Sequence, residues 1–325
     1  MTLGAPLAFR PVYKAVVWGG RRLERWRPEL PHGRIGESWD LADHEGGMSV
    51  VEDGPLAGTT LRELVLRAGE ALVGRGFRGG SFPLMVKLID ASDRLSVQVH
   101  PDDAGARALG VARNGKTECW VMLDDGGEVF LGTRPGVDRA AFERALAAGA
   151  VADTLQRFEA RAGDCFFLPA RTVHALGAGC LVFELQQTCD VTFRVFDWNR
   201  AGTDGKPRPL HVNEALATID FDRHDLAPRR EEWGAATDTR AGRRTRVLCD
   251  HFRLEEYRLA GGSVPVPLGD VCAVVTCLSG GGELATSAGA AALVEGRTLL
   301  VPAAARRFEV RSEAPLQLLV ATPRF

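Results

Sequence analysis

The chain has 325 residues, 45% of them apolar, enough for two domains with sizeable cores. Forty basic side chains against 42 acidic ones leave a formal charge of -2, which excludes the basic footprint of a nucleic-acid binder. The opening MTLGAPLAFRPVYKAVVWGG has no charged region leading into a sustained apolar run, and no later segment reaches membrane-spanning length, so a soluble cytoplasmic protein is expected.

In chain order, helical periodicity appears first at 61–72, LRELVLRAGEAL. The short apolar run FPLMVKLI follows, and ECWVML, DCFFLP, CLVFELQQ, VTFRVFDW and AVVTCLSG continue the pattern downstream. Gly, Asp and Pro punctuate these runs, which predicts a mainly β protein built as a sandwich or barrel. A second helix is predicted over 138–149, with Asp138 as N-cap and Phe142, Ala145 and Leu146 as its apolar stripe. A third, weaker one covers 210–219. Between 222 and 246 the chain turns polar and arginine-rich and reads as a linker or solvated excursion before a final β region. Seven cysteines without a C-x-x-C argue against a disulfide framework and for small buried hydrophobes.

Two distant segments share a spacing: Gly163 to Pro169 and Gly296 to Pro302 are both G-x5-P, a turn, an apolar strand and a proline stop. His174 follows the first proline by five residues, where the second repeat has Arg307, suggesting a duplicated unit whose second copy has lost its ligand.

The chemistry concentrates around LSVQVHPDD, Leu95 to Asp103. With a period of two, Ser96, Gln98 and His100 share one face of a strand, and Leu95, Val97 and Val99 the other. In GKTECW, Glu118 and Trp120 share a face in the same way. Gln98, His100, Glu118 and His174 are therefore four candidate ligands; their nitrogen and oxygen donors suit Zn²⁺ with a coordination position left open. GVARNGKT, Gly110 to Thr117, also satisfies the phosphate-loop pattern G-x-x-x-x-G-K-[ST]. That motif needs a preceding strand and a following helix, whereas ECWVML is rich in strand formers, so nucleotide hydrolysis is rejected and Gly115 is expected to tolerate substitution.

Gly163, Pro169 and His174 match the cupin pattern G-x5-P-x-G-x2-H, with Arg171 where that pattern has glycine. Within the cupins, QVHPDD, GKTECW, LPARTVHAL and FELQQTCDVTFRVFDWNR resemble type I phosphomannose isomerase, and WGG and GESWDLADH resemble its N-terminal part. The resemblance spans about residues 9–215. It implies cupin (jelly-roll) barrels with a few inserted helices: a catalytic domain over 1–240 and a degenerate β domain over 241–325. It further implies one Zn²⁺ in the catalytic barrel on Gln98, His100, Glu118 and His174, with Arg194 and Lys116 as catalytic cations. The substrate would be a small sugar phosphate, an aldose converted to a ketose by proton transfer between C1 and C2. Lys116 is the base that the resemblance suggests, while Asp102 and Glu37 remain candidates from the sequence alone. Lys87 is a candidate phosphate contact or rim residue, and Trp39 and Trp120 are sugar platforms or core aromatics. An Fe or Mn cupin oxidoreductase and a noncatalytic sugar-binding barrel are the competing classes; the first would want a third histidine where Gln98 stands.

Overall fold

Each of the six apolar runs forms a strand, because β-branched and aromatic side chains favour a pleated, half-buried surface. The computed structural model describes residues 3–230 and 241–325. These divide into two compact units, neither continuous in sequence. One takes residues 3–12, Trp39–Val86 and 241–325, the other Tyr13–Ser38 and Lys87–Arg230. Residues 39–86, grouped by the sequence with the catalytic part, thus cluster with the C-terminal β region.

In the second unit a five-stranded sheet runs in the order Leu155–Glu159, Glu128–Thr133, His174–Leu176, Val97–Val99, Phe193–Phe196. A second sheet sets Cys165–Leu168, Glu118–Met122 and Cys180–Gln187 side by side. Trp120, Met122 and Phe166 from one sheet meet Val129, Leu131 and Leu176 from the other in a common core. On its outer side the five-stranded sheet presents Val97, Val99, Ala175 and Val195, which pack with Phe142 and Leu216. Those two come from the helices Arg139–Ala147 and Val212–Thr218, close to the predicted spans. Asp138 caps the first by accepting from Ala141 N–H at 2.7 Å. The helix predicted over 61–72 is Leu61–Ala68, opened by a Thr60/Glu63 capping box. Leu95 departs from the alternation: it lies ahead of the strand and joins the inner core, away from Val97 and Val99.

In the first unit a seven-stranded sheet and a four-stranded sheet enclose an apolar interior that includes Tyr257, Leu299, Phe308, Val310 and Leu318. The stretch read as a linker ends in a strand, Ala241–Leu248, because Arg244 and Arg246 both pair with the buried Glu256. Residues 231–240 of that stretch lie outside the described residues. All seven cysteines are free, and every one except Cys249 is buried.

Both G-x5-P segments open on a glycine with positive φ, 83° at Gly163 and 78° at Gly296, and enclose a four-residue strand. In both, the next strand begins five residues after the proline, at His174 and at Arg307. The phase differs. His174 is buried, whereas Arg307 is exposed and Phe308 fills the core. The segment after Pro302 thus turns the opposite residue of its strand inward from the one after Pro169.

Candidate metal centre and its cations

Gln98 occupies the middle of the site because of strand order: it is the cross-strand neighbour of His174 on one side and Arg194 on the other. His100 follows at the end of the same segment. Glu118 opens the strand Glu118–Met122 in the facing sheet. Among the described residues, His100, Glu118 and His174 form the one group of three ligand-type side chains, their donor atoms within 4.8 Å of one another. All three are buried.

Backbone carbonyls set the tautomers of both imidazoles. His100 Nδ1 lies 2.8 Å from Val191 O and His174 Nδ1 lies 2.9 Å from Thr172 O. A carbonyl only accepts, so each Nδ1 carries the proton and each Nε2 turns a lone pair toward Glu118. Glu118 Oε1 lies 3.3 Å from His174 Nε2 and 3.7 Å from His100 Nε2, and is buried without a hydrogen-bond partner. Burial, then the Lys116 and His174 charges, hold His100 well below the ordinary imidazole range. Burial likewise pushes His174 down to about 4. Two neutral imidazoles and an orphaned carboxylate oxygen, all facing one point, fit a divalent cation. The Gln98 amide reaches the same point, its nitrogen 3.3 Å from His174 Nε2; a half-turn of that amide presents oxygen instead.

Lys116 enters this group directly: its Nζ is 2.8 Å from Glu118 Oε2 and 3.2 Å from His100 Nε2. Burial disfavours its ammonium, but Glu118 and Glu184 more than offset that and raise its pKa. Lys87 is buried among three carboxylates, Glu184 at 3.4 Å, Glu37 at 3.6 Å and Asp190 at 3.7 Å. Here too burial opposes the charge, and the carboxylates raise the pKa above the ordinary lysine value. Burial lifts Glu118 upward, whereas at Glu184 the charges of Lys116 and Lys87 and the Trp120 N–H overcome burial and bring the carboxyl down.

Arg194 is held by one backbone carbonyl and one hydroxyl, donating from Nη1 to Pro209 O at 2.9 Å and from Nε to Ser96 Oγ at 3.3 Å. Burial and the charge of Arg208 lower its pKa. Arg171 takes the left-handed conformation, φ 72°, that a glycine usually supplies at its position. That costs a non-glycine residue about 1–2 kcal/mol. Its N–H donates to His100 O at 2.7 Å and its own carbonyl accepts from Asp220 N at 2.9 Å, which hold the turn in place.

Gln98, His100, Glu118, His174 and Lys116 thus converge, with Arg194 beside Gln98, and Lys87 and Glu37 joined to them through Glu184. Asp102 is committed elsewhere: it caps the helix Asp103–Ala108 by accepting from Gly105 N at 2.7 Å. Trp39 belongs to the other unit, where it packs with Ala42 and Met85 and meets His44 edge-on. The phosphate-loop match is followed by a strand. Gly115 is not replaceable as expected, because an added Cβ would lie 2.4 Å from Pro101 O. Sequence reasoning missed Glu184 and Asp190, although Glu184 and Gln186 alternate onto one strand face in CLVFELQQ.

The family model described as phosphomannose isomerase type I, catalytic domain, matches residues 7–118. A Bacillus subtilis (strain 168) protein named "Probable mannose-6-phosphate isomerase GmuF" is 35% identical over 285 residues, 86% of this chain and 87% of that one. Mannose-6-phosphate isomerase ManA of the same organism is 34% identical over 264 residues, 79% of this chain and 81% of its own. The crystal structure of the mannose 6-phosphate isomerase from Bacillus subtilis superposes with a TM-score of 0.87 at 28% identity, covering 97% of this chain and 99% of that one. Sequence identity over most of the length, together with a metal-type centre flanked by buried lysines, establishes that this chain belongs to the type I phosphomannose isomerase family.

Proposed function

We propose that the protein interconverts mannose 6-phosphate and fructose 6-phosphate, with one Zn²⁺ held by His100, Glu118 and His174 and completed by the Gln98 amide oxygen. The observation that carries this reading is the convergence of two neutral imidazoles and an unpartnered carboxylate oxygen beside the Lys116 ammonium. Zn²⁺ bound there supplies a redox-silent Lewis acid for the sugar carbonyl. An amide in the fourth position leaves the centre with one anionic ligand, and a third histidine, which would favour redox chemistry, is absent from it.

The remaining work falls to the chain's own side chains. Aldose and ketose interconvert through a cis-enediol, so a proton leaves C2 and returns at C1. Lys116 stands nearest the ligands and is the group we assign to that transfer; a cation drawing on Glu118 would remove part of the charge that raises its pKa and so free the amine. Its ammonium, with Arg194, offsets the negative charge that develops on the enediolate oxygens or resides on the phosphate. Lys87, locked among Glu37, Glu184 and Asp190, is assigned to keep the local charge balanced at the inner wall. The 241–325 region is read as a degenerate cupin-like barrel, its interior apolar where the first holds ligands. A phosphorylated sugar does not cross membranes unaided, which accords with a cytoplasmic enzyme; no helix of the described residues is long and apolar enough to span one.

The test is conversion of mannose 6-phosphate to fructose 6-phosphate by chelator-stripped protein before and after Zn²⁺ is restored, with His100→Ala as control. Turnover that returns only in the intact protein supports the reading, and a folded protein inactive with every divalent metal refutes it.

A further inference from the structure

Three consecutive backbone amides deliver Lys116 into the site, and each is tied down by a different group. Gly115 N–H donates to Asp103 Oδ1 at 2.7 Å, Lys116 N–H to Pro101 O at 3.0 Å, and Thr117 N–H to Gln187 Oε1 at 2.8 Å. The two side chains in this set are bonded to each other, Gln187 Nε2 donating to Asp103 Oδ1 at 3.1 Å. Gln187 closes the ring by donating its own N–H to Thr117 O at 3.1 Å. The segment before Lys116 is pressed so closely on the Pro101–Asp103 turn that only glycine fits at 115. Lys116, Thr117 and Gln187 are buried, which shields the Thr117–Gln187 bond from water, while Asp103 is half-buried at the outer edge of the ring.

We infer that Asp103 and Gln187 are positioning residues for Lys116, acting by fixing the backbone from which the lysine reaches the reacting sugar. Neither touches the ligand group; they form a clamp with Gly115–Thr117 between its jaws. The inference rests on the reading of Lys116 as the proton-transfer residue. A lysine side chain is long and flexible, so the position of its Cα decides which atoms Nζ can reach. Misplacing a reacting group by about 1 Å costs up to about a hundredfold in rate. The clamp works by acceptor geometry: Asp103 uses a single oxygen for both bonds, and an asparagine oxygen can serve equally well.

The experiment is steady-state turnover of mannose 6-phosphate by wild type, Lys116→Ala, Asp103→Ala, Asp103→Asn and the Asp103→Ala/Lys116→Ala double variant, each with its metal content and thermal unfolding recorded. The expected result for Asp103→Ala is a loss of about tenfold to a hundredfold in kcat, with KM and metal content unchanged. Asp103→Asn should restore most of kcat, and Asp103→Ala should add nothing to Lys116→Ala. Wild-type kcat in Asp103→Ala, no rescue by asparagine, or losses that multiply in the double variant would each overturn the inference. If Asp103→Ala does not fold, Gln187→Met, which removes both side-chain bonds and keeps the stem, carries the same expectation and the same refutation. Full activity of Lys116→Ala would instead remove the reading underneath.

Discussion

Trp120 ties Glu184 to His174: its Nε1–H donates to Glu184 Oε1 at 2.9 Å, and its ring meets the imidazole edge-on with centroids 5.4 Å apart. The tryptophan read as a sugar platform or core aromatic is thus a fully buried strut between the ligand group and the Lys87 charge network. Trp120→Phe keeps a ring against His174 and removes the donor. A hydrogen bond to a charged group contributes about 1.5–3 kcal/mol, so thermal unfolding should move down clearly, and kcat with it. An unchanged melting curve would show that the carboxylate finds another donor.

If His100, Glu118 and His174 hold the metal as proposed, its retention requires all three. His174→Ala and His100→Ala should both lose stoichiometric metal by elemental analysis, with circular dichroism showing that each remains folded. Retention of metal by either variant at the wild-type ratio contradicts the assignment.

Lys87 compensates Glu37, Glu184 and Asp190, and its side chain is only 4% exposed. Deleting one partner of a buried ionic group leaves uncompensated charge and costs about 3–5 kcal/mol. Lys87→Ala is therefore expected to unfold several degrees earlier than wild type, even with metal present. Thermal denaturation checks this, and a stable variant would mean that the carboxylates take up protons instead.

Gly115→Ala separates the two meanings of GVARNGKT. The added methyl would overlap Pro101 O and Asp102 C, both at 2.4 Å, and such overpacking costs about 1–3 kcal/mol. Isomerase activity should fall as Lys116 is displaced. ATP hydrolysis by the wild type that disappears in Lys116→Ala would revive the phosphate-loop reading.

Asp197 anchors Arg200 at 3.0 Å and Arg208 at 2.7 Å. Burial alone would raise its pKa, but the Arg208 and Arg200 bonds dominate and lower it. A carboxyl depressed by folding stabilises fully above its unfolded pKa of about 3.9 and loses that contribution as pH falls through the lower folded value. Asp197→Asn should consequently be less stable than wild type at neutral pH, with the gap closing as pH drops below about 4. A gap that stays constant across urea titrations in this acid range would assign the effect to packing.

Much of this protein is local and therefore legible in the amino-acid order. Period-two alternation placed Gln98 opposite Val97 and Val99, and the cap at Asp138 marked its helix, since these depend on neighbours a few residues away. The motif spacing likewise pointed to Gln98, His100, Glu118 and His174, three of which converge as a ligand group. What alternation cannot supply is the partner across a ladder. Glu184 meets Trp120, and Gln98 lies between His174 and Arg194, only because strands distant in sequence pair in one register. The same rule turned Arg307 outward and Phe308 inward, which counting from Pro302 could not reveal. Asp102 and Asp103 show the limit most plainly: adjacent and chemically alike in the sequence, one caps a helix and the other clamps Gly115. Sequence determined which residue types were available and which strand face several of them took. Tertiary pairing decided their partners, because burial turns a carboxylate's neighbours, and not its own chemistry, into the determinant of what it does.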